Sequence, residues 1–178
     1  MKTNSETSEI LSKEHEYILK VVDALELEIT QLKNKNINAT FFAKIIDFIR
    51  NYADKFHHAK EEDILFKEFN KCAEEGLVHC NPIKQMLFEH DEGRKSVKMI
   101  ESGMNEKNKN KLIKGAKNYI QLIREHISKE DNILYPMADE TLSEKVQKTM
   151  LEKFKKINFA KKKEIERFEK FAEEVTKR

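Results

Sequence analysis

Between residues 11 and 137, apolar side chains recur every three or four positions in four separate runs. That is the period of a helix with one buried face, and it excludes a sheet, whose apolar period is two. The first run is Leu11, Ile18, Val22, Leu25, Ile29 and Leu32; the second includes Ile46, Ile49, Ala53 and Ile64. Ile83, Leu87, Val97, Ile100 and Met104 form the third, and Leu112, Ala116, Tyr119, Ile123, Ile133 and Met137 the fourth. Little interrupts such helices: the 178 residues contain four glycines, two prolines and no tryptophan, and 37% are charged. Strong helix formers therefore dominate. The expected fold is all-α, an up-down-up-down four-helix bundle over residues 1–140 with an additional C-terminal helix over 141–178 in the same domain.

Turn chemistry supplies the boundaries. Ser8 or Ser12 could cap the first helix, and the polar KNKNINAT separates it from a second helix of about Thr40 to Cys72. Gly76 suits a C-cap, and Pro82 suits the first turn of a third helix that ends in SGMNEKNKN. Pro136 predicts a kink or a stop late in the fourth. A fifth helix is expected from about Ser143 to Thr176, with room for a break near Asn158.

Bulk properties exclude several functions. The formal net charge is +2 with acids and bases interleaved, so no strong field for nucleic acid or a membrane surface exists. The basic run KFKKINFAKKKEIER (153–167) carries Glu at helical spacing and reads as a solvated face. Cys72 and Cys80 match no zinc or redox spacing. MKTNSETSEI lacks the apolar stretch of a signal peptide, and no apolar run approaches the ~20 residues of a membrane span. A cytoplasmic protein is expected.

The apolar stripes carry ionisable groups that a plain core would not keep. Each contains a histidine: His15, His57, His90 and His126. FHHAKEEDILF (56–66) and EHISKEDNILY (125–135) match without a gap, pairing His57 with His126, Lys60 with Lys129 and Glu61 with Glu130. Residues four apart on a helix share a face, so each His-x-x-x-Glu pair reaches one point in the core. His15 and His90 come early in their helices, the two pairs late in theirs, so an up-down bundle brings all six to one layer near one end. A buried carboxylate without a partner costs several kcal/mol, and six such groups together call for a central cation. A lone histidine on an apolar face is more often a hydrogen-bonded core residue than a ligand. The repeated pairs at matched depth favour metal.

His58 lies about 100° round the helix from His57 and faces either the bundle seam or solvent. The candidate metal ligands are thus His15, His57, His58, Glu61, His90, His126 and Glu130. Glu62 and Asp131, one step off the stripe, are expected to support them, and His79 reads as a surface residue. Imidazole and carboxylate without thiolate suit iron, manganese or zinc. Six ligands exceed a closed tetrahedral zinc site and serve two ions ~3.5–4 Å apart that two glutamates could bridge.

These segments (KEHEYI, ADKFHHAKEEDILF, MLFEHDEGR and REHISKEDNILYPMA) resemble the hemerythrin-like, or HHE cation-binding, family over residues from about 10 to 138. The resemblance implies a cofactor of two iron ions in an oxo- or hydroxo-bridged centre held by these histidines and glutamates. Two departures bear on function. The oxygen carriers of the family have a second histidine four residues after the one matched by His90, where this chain has Arg94. They also use His-x-x-x-x-Asp on the fourth helix, a spacing that Asp131 meets, while the internal repeat favours Glu130. Paired HxxxE motifs look closer to the family's sensors, its peroxide- or NO-reactive members and its iron–sulfur repair proteins. The expected function is binding of, or reaction with, a small oxidant (O₂, peroxide or NO) in stress response or oxygen sensing. The alternatives are reversible O₂ storage and a metal-stabilised interaction module. An electron donor or a signalling protein would complete the list of partners.

Overall fold

A computed structural model describes residues 5–32 and 35–177, and every regular element among them is helical. Helix α1 spans Glu6–Gln31. The second rod is α2 (Ala39–Phe48), two π-helical stretches π1 (Ile49–His58) and π2 (Glu61–Leu65), and α3 (Phe66–Glu74). The third is α4 (Ile83–Asn105). The fourth joins α5 (Lys109–Lys129), π3 (Glu130–Leu134) and α6 (Tyr135–Thr141). Cross-links between neighbours fix an up-down-up-down ring. Glu14 meets Lys60, Arg50 meets Glu101 while Asp54 meets Arg94, and Ser12 meets Asp131 while Asp23 meets Arg124.

The caps refine the expected boundaries. Ser5, not Ser8 or Ser12, caps α1, accepting from the Ser8 amide at 3.2 Å. Ser8 and Ser12 instead reach Asp139 and Asp131. Residues 33 and 34 of the polar break after α1 lie outside the described residues, as do residues 1–4 of the N-terminal stretch. Gly76 adopts φ +76°, which lets the Leu77 N–H reach back to the Cys72 carbonyl at 3.0 Å and close the rod. Pro136 does not stop the fourth rod: it falls in the first turn of α6, where its missing N–H is tolerated.

Helices α4 and α5 approach closely because they meet at glycines. A Cβ on Gly103 would lie 2.4 Å from the Leu112 nitrogen, and one on Gly115 would lie 2.9 Å from the Ile100 nitrogen. The expected C-terminal helix is broken into two, α7 (Glu144–Ala160) and α8 (Lys162–Val175), at Lys161, three residues beyond Asn158. Together they lie along the groove between the first two rods. Lys155 pairs with Glu6 and Glu173 with Lys20, so they run parallel to α1; Arg167 pairs with Asp47 and Glu169 with Tyr52. Phe154 and Phe168 are buried there, each contributing roughly 1.5–3 kcal/mol by leaving water.

The apolar core is in two parts. One gathers Ile18, Val22, Phe42, Tyr52, Ile100, Ala116 and Phe168; the other gathers Leu11, Phe66, Phe69, Met86, Tyr135 and Phe154. Between them lies the polar layer that holds the histidines. No helix among the described residues is long and apolar enough to cross a membrane.

Candidate metal centre

All seven singled-out side chains are buried in this layer, and they fall into two groups of facing ligand atoms. His58, Glu61, His90 and His126 form one; His15, His57, Glu61 and Glu130 form the other, with Glu61 common to both. The imidazoles converge edge to edge: His15 Nε2 lies 2.9 Å from His57 Nε2, and His90 Nε2 lies 2.9 Å from His126 Nε2. His58, left open by the sequence, is 6% exposed and stacks on His90 at 3.8 Å between ring centroids. π-Helical turns carry most of this set: His57 and His58 end π1, while Glu61 and Glu130 begin π2 and π3. Such turns recur at functional sites because the extra residue per turn re-aims side chains.

The outward face of each ring meets a carboxylate. His57 Nδ1 lies 2.9 Å from Glu14, His126 Nδ1 2.8 Å from Glu89, His90 Nδ1 2.7 Å from Glu62 and His15 Nδ1 3.0 Å from Asp131. His58 Nδ1 is 3.6 Å from Asp54, beyond hydrogen-bonding reach. A carboxylate on one ring nitrogen fixes the tautomer and turns the other nitrogen inward as a free donor of electrons, the arrangement found around metal-bound histidines. The sequence pointed to Glu62 and Asp131 but not to Glu14, Glu89 or Asp54. The first two are the residues just before His15 and His90, so the repeated Glu-His was the available signal. His79 is exposed and apart from the layer.

The two halves of the layer are related as their sequences are. Glu14, His15, His57, Lys60, Glu61 and Glu62 correspond to Glu89, His90, His126, Lys129, Glu130 and Asp131, and the contacts correspond too. Lys60 binds Glu14 as Lys129 binds Glu89, and Glu62 on His90 mirrors Asp131 on His15. The aromatic partners differ by one hydroxyl. Phe66 stacks on His90 at 5.8 Å, whereas Tyr135 stacks on His15 at 5.6 Å and donates to Glu61 at 2.6 Å.

The charge distribution shows why the cluster suits a cation. Glu61 Oε2 and both oxygens of Glu130 are buried without a hydrogen bond. His126 Nε2 and His15 Nε2 approach Glu130 at 3.0 and 3.3 Å, near enough for attraction but not aligned as hydrogen bonds. Burial pushes the Glu61 carboxyl well above its ordinary range, with the Glu130 charge adding to it. Burial acts on Glu130 in the same direction, but His126 and His15 hold it well below. Burial also drives His57 and His58 well below their usual value. For His15 and His126 the neighbouring acids override burial: Asp131 and Glu130 hold His15 up to about 9, and Glu130 with Glu89 holds His126 up to about 10. Orphaned carboxylate oxygens beside the neutral His57 and His58, with protons on His15 and His126 that a metal would displace, fit a positive ion of hard or borderline character in this dry layer.

A family model, the hemerythrin HHE cation binding domain, matches residues 6–138. The chain belongs to the hemerythrin HHE cation-binding family. Comparison with curated proteins and with solved structures yields no match. The HHE match ends at Met137 and Ala138 in α6, so α7 and α8 are elements beyond the family's matched span. In this HHE protein the matched bundle contains both buried His/Glu groups, each able to hold a metal cation.

Proposed function

We propose that the layer holds two iron ions and reacts with a small oxidant, namely O₂, peroxide or NO. His58, His90 and His126 would hold one ion and His15, His57 and Glu130 the other, with Glu61 between them. The observation that carries this reading is the sharing of Glu61 between two facing groups whose histidines are all aimed inward. Iron supplies one- and two-electron exchange with such ligands. The chain supplies the rest. Outer carboxylates orient the imidazoles, the Tyr135 hydroxyl holds one Glu61 oxygen, and the two apolar clusters exclude water above and below.

Access is asymmetric. The His58, His90 and His126 side borders a cavity of about 320 Å³, whereas His15 and His57 are closed in by Tyr135 and the Glu14–Lys60 pair. The exogenous ligand therefore reaches the His58 side. Metal analysis after anaerobic loading tests the reading: two irons per chain are expected, and O₂, peroxide or NO should change the visible absorption promptly. A chain that takes up no iron, or one whose loaded spectrum ignores all three, refutes it.

A second reading, a redox sensor, has one observation in its favour. Lys60, wholly buried, joins Glu14 and hence His57 to α7, with Asn158 Oδ1 at 3.4 Å and the Phe154 ring at 5.4 Å from its Nζ. A sensor would change the protease sensitivity of α7 and α8 on oxidation without consuming peroxide.

A further inference from the structure

Three buried glycines lie inside α4 and α5, and crowding accounts for two of them, Gly103 and Gly115. Gly93 is different: a Cβ there would meet only Leu122 Cδ2 at 3.7 Å and Tyr119 Cε2 at 3.8 Å, which are ordinary contacts. Glycine is among the poorest residues for a helix interior, so its presence here needs a reason other than crowding. The matching position in the other half of the layer is Ile18, which is 1% exposed and fills the core. Asp54, His58 and Arg94 likewise stand where the other half has Ile123, Ile127 and Leu19.

Gly93 and Asp54 are smaller than their counterparts, and beside them lies the cavity of about 320 Å³. Its volume is about ten times the share of one liquid water, and it falls at the lower end of small-molecule pockets. A diatomic would leave most of it empty. Val97, Leu122, Ile123 and the ring of Tyr119 line it, and the Tyr119 hydroxyl is buried without a hydrogen-bond partner. Four cations, Arg50, Lys55, Arg94 and Lys98, also line it against two carboxylates, Asp54 and Glu89. Asp54 is engaged by Arg94, Glu89 by Lys129 and His126, and Arg50 by Glu101. Lys55 and Lys98 are exposed and form no ion pair among the described residues. An apolar chamber with two uncommitted ammonium groups on its lining matches a molecule with a hydrocarbon body and one negative charge.

We propose that this cavity binds an amphiphilic organic carboxylate of about ten non-hydrogen atoms, its hydrocarbon body against Gly93, Val97 and Tyr119 and its charge held by Lys55 and Lys98. The chain alone forms the cavity; the proposal rests on the metal reading only for what the bound molecule would meet at His58, His90 and His126.

Octanoate titrated calorimetrically into the full chain, both metal-free and iron-loaded, tests this, with octylamine as the opposite-charge control. Octanoate should bind once per chain in both forms, and octylamine at least about tenfold more weakly. Gly93→Ile, which rebuilds the other half's filling, should weaken octanoate at least about tenfold, and Gly93→Ala only about twofold. The double substitution Lys55→Ala with Lys98→Ala should weaken it about fivefold and flatten its salt dependence. It decides the matter if Gly93→Ile does not fold. Absence of octanoate binding, equal binding of octylamine, or full affinity in the lysine variant overturns the proposal. Loss of octanoate binding beside intact iron loading and oxidant response sinks the cavity alone; octanoate binding without iron uptake sinks the metal reading alone.

Discussion

The two halves of the polar layer begin from one residue pattern and end in different environments. Around His15 and His57 the layer is sealed: Tyr135 covers His15, and Lys60 is wholly buried beneath α7. Around His58, His90 and His126 the same pattern has Phe66 in place of the tyrosine, a half-exposed Lys129 in place of Lys60, and a cavity. Apart from His58, which stands where the other half has Ile127, the residues a metal would need are common to both halves. Those that differ decide which side a ligand can approach. Under the proposed reading, ligation and access would rest largely on separate residues, with His58 serving both, and single substitutions would separate them.

The largest effect is expected at the residue common to both groups. Glu61→Ala should reduce iron from about two per chain to about none, counted by elemental analysis. His58→Ile, which copies Ile127 of the sealed half, should leave about one iron per chain and abolish the rapid oxidant response. Two irons in that variant would mean that His58 is not a ligand. Glu14→Gln leaves the Lys60 ammonium buried without its counter-charge and should destabilise the metal-free chain by about 3–5 kcal/mol in urea. Tyr135→Phe, which copies Phe66, strands a Glu61 oxygen and should cost about 1–3 kcal/mol. Glu89→Gln, the open-side counterpart of Glu14→Gln, should cost about 1–3 kcal/mol, less than Glu14→Gln, because Lys129 reaches water and only the buried His126 loses its outer carboxylate. Equal costs at Glu14 and Glu89 would erase the distinction between a sealed and an open half.

The bundle and the inward-facing residues were legible because both follow from position on a helix. A four-residue step puts His57 over Glu61 and His126 over Glu130, and the one-step offset puts Glu62 and Asp131 outside. The frame of the repeat also favoured Glu130 over Asp131, and the structure turns Glu130 into the layer and Asp131 to the outer nitrogen of His15. What escaped depends on neighbours distant in sequence. Nothing local in the sequence marks Lys60 for burial; Phe154 and Asn158 of α7 lie over it. His58 could not be oriented because π1 departs from ideal helical rotation just where the residue stands. The break at Lys161 carries no glycine or proline to announce it. The cavity arises from Gly93 facing Tyr119 on another helix, a pairing that no local pattern contains.

The division of the apolar core by a charged layer bears on how the molecule comes apart. Two clusters separated by ionisable groups, with Ile157 packed against both, share less than one continuous core would, so their openings are expected to be only weakly linked in the metal-free chain. The cluster around Phe69 and Tyr135, at the end where the rods are joined by Gly76 and Pro82, is the smaller and is expected to exchange its amide hydrogens first. Ions gripped by all four rods would tie the clusters together. Metal would then govern not only chemistry but cooperativity: a two-stage melt is expected of the metal-free chain and a single transition of the loaded one.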